Sequence, residues 1–194
     1  MRHDPLSAIV GPRPIGWIST LSTAGVANLA PYSFFNLFNY KPPILAFSSI
    51  GYKDTVRNIQ QSGEFVYNLA TRDLAEALNR SSVAAPPEVS EFDLAGLSQR
   101  PSTVVRPPAV AESPVSFECQ LIQCFQMQDA QGTLLDTWMV LGEAVMIHID
   151  TALLCAPDGG YDTLAAHPIL RGGGPGDYFE LSESGKFFMA RPKV

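Results

Sequence analysis

Between Ile15 and Leu21 apolar and polar residues alternate and β-formers dominate, the pattern of a strand with one buried face. Ser22 to Gly25 (STAG) supplies turn residues and the pattern resumes at Val26, which predicts a hairpin. A short apolar run, Ile44 to Phe47, leads into Ser48 and Ser49, and Gly51 allows a turn. Val56 to Gln61 then reads as a short helix, with Asp54 or Thr55 as its cap and Gly63 as its end. Glu64 to Ala70 predicts another strand, and Arg72 to Arg80 has helical spacing at Leu74, Ala75 and Leu78. Six prolines break up Ser81 to Pro114 (Pro86, Pro87, Pro101, Pro107, Pro108 and Pro114). We expect this segment to be an excursion that covers the rest of the fold or a partner subunit. After it, Val115, Phe117, Cys119, Leu121, Phe125 and Met127 alternate with polar residues. Asp129 to Gly132 turns the chain into Leu134 to Ile149, where Leu135, Met139, Leu141, Val145, Ile147 and Ile149 share a face. Two long antiparallel strands suit a barrel rather than a parallel nucleotide-binding sheet.

The 194 residues and 21.0 kDa fit a single domain over 1–194 that can bury about 70% of its unfolded surface. Only 16% of residues are charged against 46% hydrophobic, which favours an oligomer that hides part of its surface. A net charge of −6 with no basic cluster argues against nucleic acid as a partner. The first residues lack the apolar core of a signal peptide, and no apolar run approaches the roughly 20 residues of a membrane span. The expectation is therefore a soluble, cytoplasmic protein. Cys119, Cys124 and Cys155 show no CxxC spacing and His3, His148 and His167 are scattered, so neither a disulfide framework nor a metal site is expected.

Other chemistries find little support. Glu118 and Glu143 fall within strands, where a solvated or interface-facing carboxylate is the commoner role than an acid/base pair. No GxSxG elbow is present, and Gly172 to Gly176 lacks the strand, spacing and helix of a dinucleotide fingerprint.

The stretch from Asn28 to Asn58 is the richest in chemistry. A helix start exposes unpaired N–H groups and the positive end of the helix dipole; with Ser48, Ser49 and Lys53 nearby, it could hold a phosphate. The plainer alternative is that Asp54 and Thr55 only cap the helix and Lys53 is solvated. Pro31 to Asn36 (PYSFFN) could line a planar heterocycle, amides reading its edge and aromatics covering its apolar part, although most of these aromatics could equally be core. Asn36 is the exception, since an amide buried in such a run needs partners.

In order and spacing, RPIGWIST (Arg13 to Thr20), Gly25, NLAPYSFFN (Asn28 to Asn36), Pro42–Pro43, KDT (Lys53 to Thr55), Asn58 and GEFVYN (Gly63 to Asn68) resemble the flavin reductase-like family. The resemblance continues through Glu91 and Phe92, FEC (Phe117 to Cys119) and PILRGGGPGDY (Pro168 to Tyr178). It implies a mainly β fold, the FMN-binding split β-barrel of antiparallel, Greek-key type with a few short helices, usually a homodimer with the flavin near the subunit interface. On this basis the FMN phosphate is expected at Ser48, Ser49, Lys53, the Asp54 backbone and Thr55. The ring is expected at Trp17, Ser19, Thr20, Ser33 and Asn36, with Arg171 and Tyr178 secondary. The implied activity is an FMN-dependent oxidoreductase, a flavin reductase with NAD(P)H as donor; the alternative is a flavoredoxin-like electron carrier that needs a protein partner. Flavin carries hydride chemistry itself, so no catalytic side chain is expected.

Overall fold

The protein is described here by a computed structural model that covers residues 5–155 and 159–192. Its main sheet has seven strands: β1 (Gly16–Leu21), β2 (Ala27–Tyr32), β3 (Phe35–Tyr40), β4 (Pro43–Ile50), β5 (Glu64–Leu69), β6 (Val115–Gln128) and β7 (Leu134–Ile149). Helices α1 (Asp54–Ser62), α2 (Ala75–Arg80) and α3 (Glu91–Ala95) lie between β4 and β6. The strand order is β2-β1-β5-β6-β7-β4-β3, antiparallel throughout.

That order forces the sheet to curl. β2 and β3 stand at opposite ends of the sheet, yet only Ser33 and Phe34 separate them in sequence. A link of two residues reaches about 10 Å at most, so the two ends must meet at this corner. No hydrogen-bonded ladder joins β2 to β3, and the barrel stays open along that seam. This is the split β-barrel expected from the sequence.

Alternation assigns the two faces of β1. Ile18 points into the barrel with Leu45, Phe47, Phe65, Tyr67, Cys119 and Val140, whereas Trp17 points outward and packs with Leu29, Leu78, Phe92 and Val110 beneath α2 and α3. Gly142 belongs to the inner layer, because a Cβ there would overlap the Phe65 ring. α1 closes one end of the barrel with Val56 and Ile59, both fully buried.

The expected hairpin is present, with Gly16 opposite Tyr32 and Leu21 opposite Ala27. Residues 81–114 do cover the barrel: α3 and a short hairpin (Gln99–Arg100 with Ala109–Val110) lie over its outer face. One consequence reverses an expectation. The start of β6 is covered on both faces, so Glu118 is neither solvated nor interfacial but fully buried. It accepts hydrogen bonds from the backbone N–H groups of Thr103 (2.7 Å), Val104 (2.6 Å) and Val105 (3.0 Å), and its Oε1 lies 2.6 Å from His148 Nε2. Burial works to raise its pKa, but the three amides and the His148 ring outweigh it and hold the carboxyl down at about 2. Glu143 is half-buried on β7.

Candidate functional site

Of the residues expected to hold phosphate, Ser49, Lys53, Asp54 and Thr55 gather around the start of α1. Gly51, at φ +87°, reverses the chain after β4, and its carbonyl accepts from Ser49 Oγ (3.0 Å) and from the Lys53 N–H (3.1 Å). The cap differs from the expected one: Lys53 occupies the cap position in extended conformation, and Asp54 and Thr55 are the first helical residues. Asp54 pairs instead with Arg57 at 2.5 Å, and Thr55 Oγ1 donates inward to Asn28 Oδ1 at 2.8 Å. No side chain caps α1, so the N–H groups of Asp54, Thr55 and Val56 have no partner among the described residues. Lys53 is exposed and forms no ion pair among them. Open amides beside an unpaired ammonium group suit an anion. At the other end, Gly63 terminates the helix in a left-handed conformation, as expected.

A buried polar network holds this helix start against β1 and β2. Asn28 Oδ1 accepts from Thr55 and, at 3.3 Å, from Thr20 Oγ1; Asn58 Nδ2 donates to Thr20 Oγ1 at 3.1 Å. On its other side Asn28 Nδ2 donates to Glu91 Oε2 at 2.9 Å, and the Leu29 N–H donates to the same oxygen at 3.0 Å. Burial raises the pKa of Glu91, and these donors only partly offset it. The Tyr32 hydroxyl is buried without a hydrogen-bond partner; the hydroxyls of Thr55 and Ser49 stand beside it outside hydrogen-bond geometry.

Two depressions flank the β2–β3 corner. One, of ≈250 Å³, is lined by Pro31, Tyr32, Lys53, Asp54, Thr55 and Glu91 among others. The second, of ≈450 Å³, lies on the outer face of β3, β4 and β7, where Phe34, Asn36, Phe38, Ser48 and Met139 meet. Ser33 alone separates Tyr32 in the first from Phe34 in the second. Arg13 braces the corner: its Nε donates to the Ser33 carbonyl at 3.1 Å and its guanidinium lies 5.3 Å from the centre of the Phe34 ring. Arg13 Nη2 also reaches the Gly172 carbonyl at 3.3 Å, which brings the glycine-rich turn to the same corner. Arg171 is occupied by the Asp177 and Gly174 carbonyls and lies over Tyr178.

The ten expected site residues therefore separate. Lys53, Asp54 and Thr55 line the first depression and Asn36 and Ser48 the second, with Ser33 at the corner between them. Ser48 and Ser49, adjacent on a strand, face opposite sides of the sheet, and Ser49 is buried at the barrel end. Trp17, Ser19 and Thr20 line neither depression. All three are fully buried: Trp17 Nε1 donates to Ser81 Oγ, Ser19 Oγ donates to the Pro108 carbonyl, and Thr20 belongs to the network under α1. Asn36 is exposed rather than buried, and its Oδ1 accepts from the Leu37 N–H. The buried strand amide that needs partners is Asn28, and the same reasoning applied to ANLA would have found it. Among the described residues no cluster of three or more His, Cys, Asp or Glu could hold a metal ion, and no helix is long and apolar enough to cross a membrane.

Residues 11–165 match the model of the flavin reductase like domain. The chain belongs to the flavin reductase-like family. An uncharacterized protein of Halalkalibacterium halodurans is 36% identical over 195 residues, covering 97% of this chain and 90% of that protein. Nitrilotriacetate monooxygenase component B from Bacillus cereus is 30% identical, with a TM-score of 0.87 over 95% of this chain and 90% of its own. The 2-nitrobenzoate 2-nitroreductase NbaA of Pseudomonas fluorescens is 27% identical, with a TM-score of 0.84 over 96% and 88%. Family and neighbours together place the chain among flavin-related oxidoreductases.

Proposed function

We propose that the protein binds FMN and acts as an NAD(P)H-dependent flavin reductase-type oxidoreductase, as a cytoplasmic homodimer. The observation that carries this reading is the uncapped start of α1 with Lys53 beside it, in a depression that Ser33 alone, at the β2–β3 corner, separates from one lined by aromatics and an amide. The residues fit a phosphorylated flavin. The amides at the start of α1 and Lys53 suit a dianionic phosphate, and Phe34, Phe38, Asn36 and Ser48 offer apolar cover and polar edges for a ring. Bound flavin would supply hydride and electron transfer, while these residues bind and orient it. The three free thiols, Cys119, Cys124 and Cys155, are consistent with a reducing compartment. The electron-carrier alternative differs only in needing a protein donor.

Riboflavin, which has the ring but no phosphate, tests the assignment. Fluorescence titration should show FMN binding at least about tenfold more tightly than riboflavin, the loss of one or more charge-assisted contacts. Equal affinities would remove the phosphate site from the account.

A further inference from the structure

Among the described residues the buried carboxylates are Glu91 and Glu118, and their surroundings differ. Glu118 faces three backbone N–H groups and the His148 ring, which hold it charged. Glu91, the first residue of α3 and 4% exposed, has no cationic partner among the described residues. Its Oε2 accepts from Asn28 Nδ2 and the Leu29 N–H. The elements packed around it bring few charges. β2 supplies the uncharged Asn28 and the Tyr32 phenol, which burial keeps neutral, and residues 81–85 carry no ionisable group. Asp93 on its own helix and Glu76 and Arg80 on the neighbouring α2 are exposed. The start of α1 adds Lys53 and Asp54, which line the same depression as Glu91. Arg57 balances Asp54 at 2.5 Å, whereas no cation balances Glu91.

We infer that Glu91 takes a proton from solvent when the phosphate of FMN enters this depression, so that cofactor binding and proton uptake are coupled through one buried carboxyl group. A carboxylate without a counter-ion and a phosphate dianion oppose each other in a site of low dielectric, and neutralising the carboxyl removes that opposition. Burial, and after it the charge of Asp54, already favour the protonated form against the two donors. The hydrogen bonds survive the change, because Oε1 can carry the proton while Oε2 goes on accepting from Asn28 and Leu29. Asn28 also accepts from Thr55 at the start of α1, so the carboxyl and the open amides belong to one network. This inference rests on the phosphate reading and adds the protonation state in which the site accepts a dianion.

Isothermal titration calorimetry of FMN and of riboflavin, in buffers of different ionisation enthalpy, tests the coupling. From about pH 7 to about pH 9 the FMN phosphate is already a dianion, its second ionisation lying near pH 6 or so, and it contributes little proton exchange of its own. The bound carboxyl holds its proton to higher pH than the free one, so affinity is greatest at the acid end and falls as pH rises. We expect FMN to bind with net proton uptake and to lose at least about tenfold in affinity across the range, whereas riboflavin shows neither effect. Both ligands are compared on the wild type, so the outcome does not depend on a variant that folds. Glu91→Gln keeps an oxygen for Asn28 and Leu29 but no charge; it should abolish the uptake, flatten the profile and bind FMN more tightly than the wild type at the alkaline end. FMN that binds more tightly than riboflavin yet without proton uptake, or a pH profile that E91Q leaves unchanged, would overturn the role of Glu91 and leave the phosphate site standing. Equal affinities for FMN and riboflavin throughout would overturn both.

Discussion

Lys53 is an exposed side chain that the fold does not need. It caps α1 through its backbone alone, and its ammonium group has no carboxylate partner among the described residues. Lys53→Ala should therefore weaken FMN binding by about 1.5–3 kcal/mol, roughly ten- to hundredfold, yet leave unfolding free energy within about 0.5 kcal/mol. Flavin fluorescence titration alongside urea denaturation separates the two effects; unchanged affinity would mean that phosphate does not sit there. At this scale the sequence reads well where a residue acts through its backbone position and poorly where orientation decides. KDT at a helix start was legible because turn chemistry and helix polarity are local. Ser48 and Ser49 look equivalent in sequence, but strand alternation sends them to opposite faces. Trp17, Ser19 and Thr20 lie on β1, beside β2 as expected, and yet are sealed beneath α1, α2 and the 81–114 excursion, which no local pattern announces.

Among the elements, the excursion between α2 and β6 carries α3 and a short hairpin, and its stretch at residues 103–105 is held by a charge. Glu118 is its anchor, collecting three consecutive backbone N–H groups from residues 103–105. Its pKa in the folded protein, about 2, lies below the ordinary 4.5, so the stability it contributes is complete above pH 4.5 and lost as pH falls toward 2. Glu118→Gln should cost about 2–4 kcal/mol at neutral pH, by leaving amide donors poorly satisfied, and should flatten the acid limb of the stability profile. Denaturant midpoints measured across that pH range check both; an acid limb identical to wild type would show that Glu118 does not carry it. The alternation of β6 was plain in the sequence. Its burial on both faces was not, because that depends on a distant, proline-broken segment folding back over it.

For the whole molecule, the decisive feature is a sheet whose two end strands are adjacent in sequence. Closing that corner with Ser33 and Phe34 places the start of α1 and the outer face of β3 and β4 on either side of one short link. Barrel architecture could be anticipated from two long antiparallel strands and a hairpin, since both signals are periodic. The meeting of the two sheet ends is a property of strand order, which periodicity does not encode; there the resemblance of whole motifs did the predicting. The measurement that bears most directly on the functional claim is the visible absorbance spectrum of the purified protein with FMN added, followed anaerobically by NADH and then NADPH. The expected result is a protein-bound flavin spectrum that bleaches when one of the nicotinamides is added. A protein that leaves the spectrum of free FMN unaltered, with no flavin retained on gel filtration and no bleaching, would contradict it.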